Sequence, residues 1–434
     1  MAYFGAGPAP LPTVVLEEAA KVLLNYQNTG IGLVEHSHRS PLAVKILDDA
    51  RQNLRTFMSI PDTHEILFMQ GGGTGEFSAV AYNFVNAWLH RTRERMGEEA
   101  EKSTEQGGET ALAAYVRQKL RLSFLVTGSW SLKASQEASR LYGSDRVHIS
   151  IDARKYNDGK FGTVPDCEEW DQNYPAEDPP AFLYYCDNET VDGVEFPANT
   201  AFGLLEEAAS REAIPLVADM SSNILSRRVD ISKHALIFGG AQKNIGCTGL
   251  TIVIVQKKYL DQIDQPSDML RALHLPIGPI IMDYPTIAKN NSLYNTLSIF
   301  DVWMAGDVIR RLNERYQEEK VGGMEKLADE KAALLYAALD GKDRYRVVPQ
   351  KNGRSRMNIC FRVMNGGHVD DAAEKQLLAE AEKQGFFGLK GHRSVGGLRI
   401  SNYNSITLPQ ATALSRFIGE WASRVEPKVN GHAG

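Results

Sequence analysis

The strongest constraint on the fold lies between residues 122 and 255, where short apolar runs alternate with helical patterns. The run 122–126 ends in Thr127-Gly-Ser-Trp130, the run 181–186 in Asp187-Asn-Glu-Thr190, and the run 214–218 in Asp219. Helical patterns at 131–142 and 200–211 separate them. Short apolar runs bounded by turn residues read as buried strands, and their alternation with helices predicts an α/β fold with a mostly parallel sheet. In such a sheet the residues just past the strand ends gather along one edge, where open α/β sheets bind ligands. Trp130, Thr190, Asp219 and Lys243 all fall at such positions.

Lys243 stands apart. Two β-branched runs, 236–238 and 250–255, flank a loop with glycines at 239, 240, 246 and 249 and this one lysine. A lysine desolvated there has a lowered pKa, which frees its amine as a nucleophile towards carbonyls. The plainer reading is an exposed loop tip.

Upstream, residues 4–12 are broken throughout by glycine and proline and cannot form a regular element. A helix is predicted from about 14 to 26. The polar loop Glu35-His-Ser-His-Arg-Ser-Pro41 comes next, by itself an ordinary solvated turn, and then a helix from about 42 to 58. Residues 65–69 read as a strand running into Gln70-Gly-Gly-Gly-Thr-Gly75 and a helix over 77–88. A glycine loop between strand and helix start presents free N–H groups and the positive helix end to an anion. It lacks the endings of a nucleotide P-loop or a dinucleotide site, so the anion stays unidentified, and a tight turn needing positive φ is the alternative. Residues 91–110 hold ten charges in twenty and read as an exposed, mobile insertion before a helix at 111–119.

A long helix over 296–318, ending at Gly322-Gly323, precedes a smaller α/β unit. Strands are expected at 344–348 and 357–363, helices at 370–384 and 409–424, and a turn and strand at 391–401. The domain reading is an arm (1–15), a large domain (16–323) and a small C-terminal domain (324–434). At 434 residues the chain is long enough for two cores, and a net charge of −6 argues for neither nucleic acid nor an anionic membrane. No apolar run approaches a membrane span, and the N-terminus lacks the basic-then-apolar pattern of a secretory signal. Cysteines 167, 186, 247 and 360 are scattered, without metal spacing, and read as reduced core residues of a cytoplasmic protein.

An anion cradle, an aromatic ring, a strand-end carboxylate and a loop lysine are the parts that pyridoxal 5′-phosphate (PLP) requires. In combination, Gly239-Gly-Ala-Gln-Lys-Asn-Ile-Gly246, Gln70-Gly-Gly-Gly-Thr-Gly-Glu-Phe77, Glu35-His-Ser-His-Arg39, Asp187-Asn-Glu-Thr190 and Lys390-Gly-His-Arg-Ser-Val-Gly-Gly-Leu-Arg399 resemble the phosphoserine aminotransferase family. The resemblance runs from the arm to the last helix; the charged segment 91–110 lies outside the family's core pattern and looks like a lineage insertion of the fungal kind. It implies the fold-type-I, class V architecture of PLP-dependent transferases, with a mostly parallel, seven-stranded type of sheet and a smaller C-terminal α/β domain.

By the same resemblance, Lys243 would be the Schiff-base lysine, Asp219 the partner of the pyridinium nitrogen and Trp130 the stacking ring. Gly73, Thr74 and Gln242 would hold the cofactor phosphate and Thr190 the region of the ring hydroxyl. Asn295 and Thr296 match a pair that reaches the phosphate from a neighbouring subunit, implying a homodimer with interface active sites. Arg399 matches the arginine for the substrate α-carboxylate, and His38, Arg39, His392 and Arg393 the cluster for the distal phosphate of phosphoserine or the side-chain carboxylate of glutamate. Thr74 departs from the arginine often found in the family. The reaction implied converts 3-phosphohydroxypyruvate and L-glutamate into O-phospho-L-serine and 2-oxoglutarate, a step of serine biosynthesis.

Other readings compete with this one. A different class V enzyme, such as an alanine–glyoxylate aminotransferase, would not need the four-residue distal cluster. A cysteine desulfurase needs a mobile nucleophilic cysteine, which neither Cys247 nor Cys360 resembles. A silent PLP-binding scaffold has no need to keep the lysine, aspartate and arginine together.

Overall fold

The computed structural model describes residues 1–104, 109–171, 178–197, 214–263 and 266–424. The helix expected at 200–211 lies outside the described residues. Seven strands form the main sheet, in the order His64–Met69, Thr251–Gln256, Leu236–Gly240, Leu216–Asp219, Leu183–Cys186, Leu122–Val126 and Val147–Asp152. Thr251–Gln256 runs antiparallel to both neighbours and the other pairings are parallel. The sheet is therefore mostly parallel, as expected.

Both faces of the sheet are covered, which is why its strands read as continuous apolar runs. Ile66, Leu125, Ile237 and Ile252 face a core shared with the helices Pro41–Met58 and Ile299–Tyr316. Leu67, Phe124, Phe238 and Val253 face the opposite core, shared with Gly72–Met96 and Ser129–Tyr142. The edge strand Val147–Asp152 is absent from the sequence reading, although its alternation of apolar and polar residues is an edge-strand signal.

The remaining strands include a smaller antiparallel sheet, in which Asn358–Asn365 pairs with Tyr345–Val347 and Leu398–Ser401. It packs with the helices Asp371–Lys383 and Leu408–Arg424 around Phe361, Ile400 and Trp421. Ala2–Tyr3 pairs in parallel with Phe386–Phe387, and Phe4 is buried in this same core. From there the arm crosses to the large sheet, where Ala9 N–H donates to the Gln242 carbonyl at 2.8 Å.

Two expectations need correction. Residues 91–96 are not part of a mobile insertion: the helix begun at Gly72 continues to Met96, with Thr92 buried, and the turn Gly97–Glu101 buries Ala100. Charged residues fill the outer face of this last stretch, so the apolar period hides among them. Nor do Gly322 and Gly323 end a helix. They lie in the first turn of another one, Val321–Leu339, which the sequence reading missed. A Cβ on Gly323 would come within 2.3 Å of the Tyr316 ring, so this glycine permits close helix packing. Among the described residues no helix is long and apolar enough to cross a membrane.

Candidate active site

The polar strand ends meet in one cavity of about 220 Å³, lined among others by Gly73, Thr74, Trp130, Thr190, Asp219, Gln242 and Lys243. The helix at Gly72 starts without a side-chain cap, after Gly71 at φ +126°. The Gly72 N–H donates to Thr251 Oγ1 at 2.9 Å, which leaves those of Gly73 and Thr74 for an anion. The edge predicted from the sequence is assembled by the parallel strands.

Lys243 is partly buried, and its Nζ donates to Thr190 Oγ1 at 2.7 Å. Burial pulls its pKa down to about 8, against the opposing charge of Asp219. Asp219, the last residue of its strand, is buried. Its Oδ1 accepts the Ser221 N–H at 2.8 Å and its Oδ2 the Tyr184 hydroxyl at 3.3 Å. Burial pushes its pKa above the usual carboxylate value, while the Ser221 bonds and Lys243 oppose that shift.

The segment 188–192 ties these groups together. Glu189 accepts from the backbone N–H groups of Trp130, at 2.7 Å, and Ser131, at 2.9 Å, and Asp192 accepts from Ser129 N–H at 2.7 Å. Glu189, on the short strand Asn188–Glu189, and Asp192, in the turn after it, thereby cap the helix that carries Trp130 by accepting its free N–H groups, while burial raises the pKa of both. A Cβ on Gly128 would lie 2.3 Å from Glu189, so glycine is required for this approach. One residue on, the Thr190 carbonyl accepts Arg399 Nη1 at 3.0 Å. Neighbouring Asp187 is structural, buried against Arg227 and Asn223.

Beyond Trp130 and Lys243 an outer chamber of about 530 Å³ opens, roofed by Ala6, Gly7 and Pro8 of the arm and lined by His392 and Arg399. Arg399 is buried on its strand. His392 Nδ1 shares a 2.7 Å hydrogen bond with Ser394 Oγ. Its pKa is lowered by burial, then by Arg399, Arg393 and Lys133, which places all three cations around it. Arg393 itself is exposed and does not line the chamber.

Besides Arg393, four expected residues lie outside both spaces in the single chain: His38, Arg39, Asn295 and Thr296. They share one region. Arg39 Nη2 reaches the Leu293 carbonyl at 3.4 Å, and Asn295 Nδ2 donates to Gln70 Oε1 at 2.6 Å. The sequence reading missed several lining residues, namely Asn188, Ser221, Ser222 and Phe77. Ser221 and Ser222 lie just beyond Asp219, and Asn188 sits inside the quoted Asp187–Thr190 motif, so their positions past strand ends were the available signal.

The sequence model of the family Aminotransferase class-V matches residues 1–113 and 164–405, so the chain is a class V aminotransferase. The phosphoserine aminotransferase of Saccharomyces cerevisiae is 41% identical over 427 residues, covering 97% of each chain. A solved phosphoserine aminotransferase from Bacillus circulans subsp. alkalophilus superposes with a TM-score of 0.77 at 32% identity, covering 97% of this chain and 98% of that one. The PLP-bound phosphoserine aminotransferase of Trichomonas vaginalis superposes with a TM-score of 0.74 at 32% identity, covering 96% of this chain and 99% of that one. The chain belongs to the phosphoserine aminotransferase family.

Proposed function

We propose that the chain moves an amino group between L-glutamate and 3-phosphohydroxypyruvate, giving O-phospho-L-serine and 2-oxoglutarate, with PLP as cofactor. The observation that carries this reading is the convergence of Lys243, Asp219, Trp130 and an uncapped glycine helix start on one cavity, with Arg399 and His392 in the next. The residues fit the cofactor. The indole N–H of Trp130 is buried with no hydrogen-bond partner, and the cavity offers an anion cradle at one end and a carboxylate at the other.

In this reading Gly73, Thr74 and Gln242 hold the phosphate, the first two through backbone N–H groups, so a threonine at 74 costs little. Trp130 lies against the ring, and Thr190 takes the ring hydroxyl region while steadying Lys243. When bound, PLP supplies an electron sink for the substrate Cα carbanion. Asp219 keeps a positive charge on the ring nitrogen by holding a proton there, which an adjacent opposite charge favours by roughly 1–3 pKa units. Lys243 would hold the cofactor covalently and, once free, would carry the proton to and from the substrate Cα. Arg399 gives one N–H to Thr190 and keeps the rest of its fork for the α-carboxylate.

The lowered Lys243 pKa has a kinetic consequence. Only the neutral amine attacks a carbonyl, so the rate at which cofactor-free protein captures PLP should climb with pH and level off above about 8. Stopped-flow absorbance measures it. A rate still climbing as an ordinary lysine's would, near pH 10, contradicts the assignment.

We also read the protein as a cytoplasmic homodimer acting in serine biosynthesis. Asn295 and Thr296 are exposed, and exposed apolar residues Val34, Tyr294 and Ile281 suit a second copy of the chain. His38 and Arg39 would then travel with Asn295 and Thr296 to the partner's site and join His392 and Arg393 there. Refolding an equal mixture of two inactive variants, Lys243→Ala and Thr296→Glu, tests this. Half the dimers are mixed, and each mixed dimer collects both defects in one site and none in the other. Activity should return to roughly a quarter of wild type; none despite proven mixed dimers refutes the shared site.

The substrate assignment is tested by steady-state assays with phosphoserine and 2-oxoglutarate against alanine and glyoxylate. Phosphoserine should be preferred by orders of magnitude, and a preference for alanine would make the chain a small-substrate aminotransferase.

A further inference from the structure

The outer chamber has an unassigned cation. Its lining contains no aspartate or glutamate among the described residues, and its positive groups are Lys133, Lys243, Arg399 and His392. Three of these already have partners: Lys243 holds Thr190 Oγ1, Arg399 the Thr190 carbonyl, and His392 the Ser394 hydroxyl. Lys133 makes no side-chain hydrogen bond or ion pair among the described residues. Its Nζ sits 4.2 Å from the centroid of the Trp130 ring, three residues back on the same helix face.

A substrate carrying an α-carboxylate and a phosphate monoester brings about three negative charges at neutral pH. Arg399 answers the carboxylate. Within one chain the phosphate end faces His392, whose pKa is lowered by burial and nearby cations, and in the dimer proposed above His38 and Arg39 of a second copy would join it. His38 and Arg39 of the same chain lie elsewhere. Lys133 is exposed, on a flexible stem, and is held only by a cation–π contact. Such a contact is weak at an exposed site, while a charge-assisted bond to phosphate is stronger. An ammonium is also a compact charge with three rotatable donors, able to follow either a phosphate or a shorter carboxylate.

We propose that Lys133 is a specificity residue of this site, leaving the Trp130 ring to grip the distal phosphate of the substrate. The assignment rests on the function proposed above. It makes Trp130 and Lys133 a linked pair, one against the cofactor and the other on the substrate tail.

Lys133→Met tests it, because the stem still covers Trp130 while the charge is gone. Half-reactions of the cofactor-loaded enzyme are followed separately with phosphoserine and with glutamate. The half-saturating concentration of phosphoserine should rise about 30-fold with the saturating rate nearly unchanged, the expected worth of one bond between charged groups. For glutamate, with a single charge on its tail, the rise should stay below about 5-fold. Inorganic phosphate, as a competitor of phosphoserine, should weaken by a factor similar to phosphoserine itself, and Lys133→Arg should recover most of the loss. Equal losses on both substrates would mean that Lys133 only steadies the Trp130 ring, and unchanged phosphoserine kinetics would remove it from the site; either result overturns the proposal. A wild-type enzyme inert to phosphoserine but active on alanine would overturn the function beneath it instead.

Discussion

Replacing Lys243 by alanine leaves a folded protein and lowers amino transfer by on the order of 10⁴-fold or more, since one side chain supplies both the covalent hold on the cofactor and the proton carrier. Folding survives because the lysine contributes little to it. Its ammonium is partly desolvated, its side chain makes one hydrogen bond, to Thr190, and burial lowers its pKa. A charge disfavoured by its surroundings is not what holds a loop in place. The loop is held instead by backbone: the Ala241 N–H donates to the Leu250 carbonyl, and the Gly246 N–H to the Ala241 carbonyl. Circular dichroism and a thermal melt should match wild type, while the visible absorption of the lysine-bound cofactor disappears. Small primary amines such as methylamine should restore part of the rate by replacing the missing proton carrier. A variant with normal colour and rate removes Lys243 from the chemistry.

The second large effect is at Asp219. Asp219→Ala should lower the saturating rate by roughly 10²- to 10³-fold, the usual cost of removing one preorganised charge at a reacting centre, with KM altered far less. Asp219→Asn separates charge from hydrogen bonding. The amide oxygen can still accept the Ser221 N–H that Oδ1 accepts now, so that bond is kept while the charge is lost, and the amide nitrogen cannot accept the Tyr184 hydroxyl that Oδ2 accepts. Rapid kinetics of the two variants should show nearly equal losses. An asparagine variant close to wild type would make Asp219 a structural residue of the strand end. The pKa of Asp219 fits the charged role only with a cationic partner present, because burial alone raises it. A protonated cofactor ring supplies that partner.

Much of this site was legible because each group stands at the end of an apolar run. Val126, Cys186, Asp219 and Gly240 close their strands, and parallel pairing brings the residues just beyond them to one edge. Hydrophobic period and glycine punctuation carry that information locally. The features that stayed hidden depend on contacts between distant segments. Nothing local to Ser129–Tyr142 announces that Glu189 and Asp192 cap it. The helix Val321–Leu339 was lost because its paired glycines look like a terminus, whereas Gly323 serves packing against Tyr316. Lys133 becomes visible only once Trp130 is placed on a helix, where the third residue along shares its face. His38 and Arg39 carry a motif, but one chain does not bring them to the outer chamber. Their chemistry is intelligible only with a second copy.

The central claim is that the cavity between Lys243, Asp219 and Trp130 is where amino groups are exchanged with phosphoserine. The most direct measurement is borohydride reduction of the PLP-loaded protein, with mass mapping of the modified peptide. Borohydride fixes the cofactor to whichever lysine holds it. A single modified residue, Lys243, is expected, and phosphoserine added before the reductant should abolish the modification while alanine at the same concentration leaves it. Labelling of another lysine, or protection by alanine and not by phosphoserine, would contradict the claim.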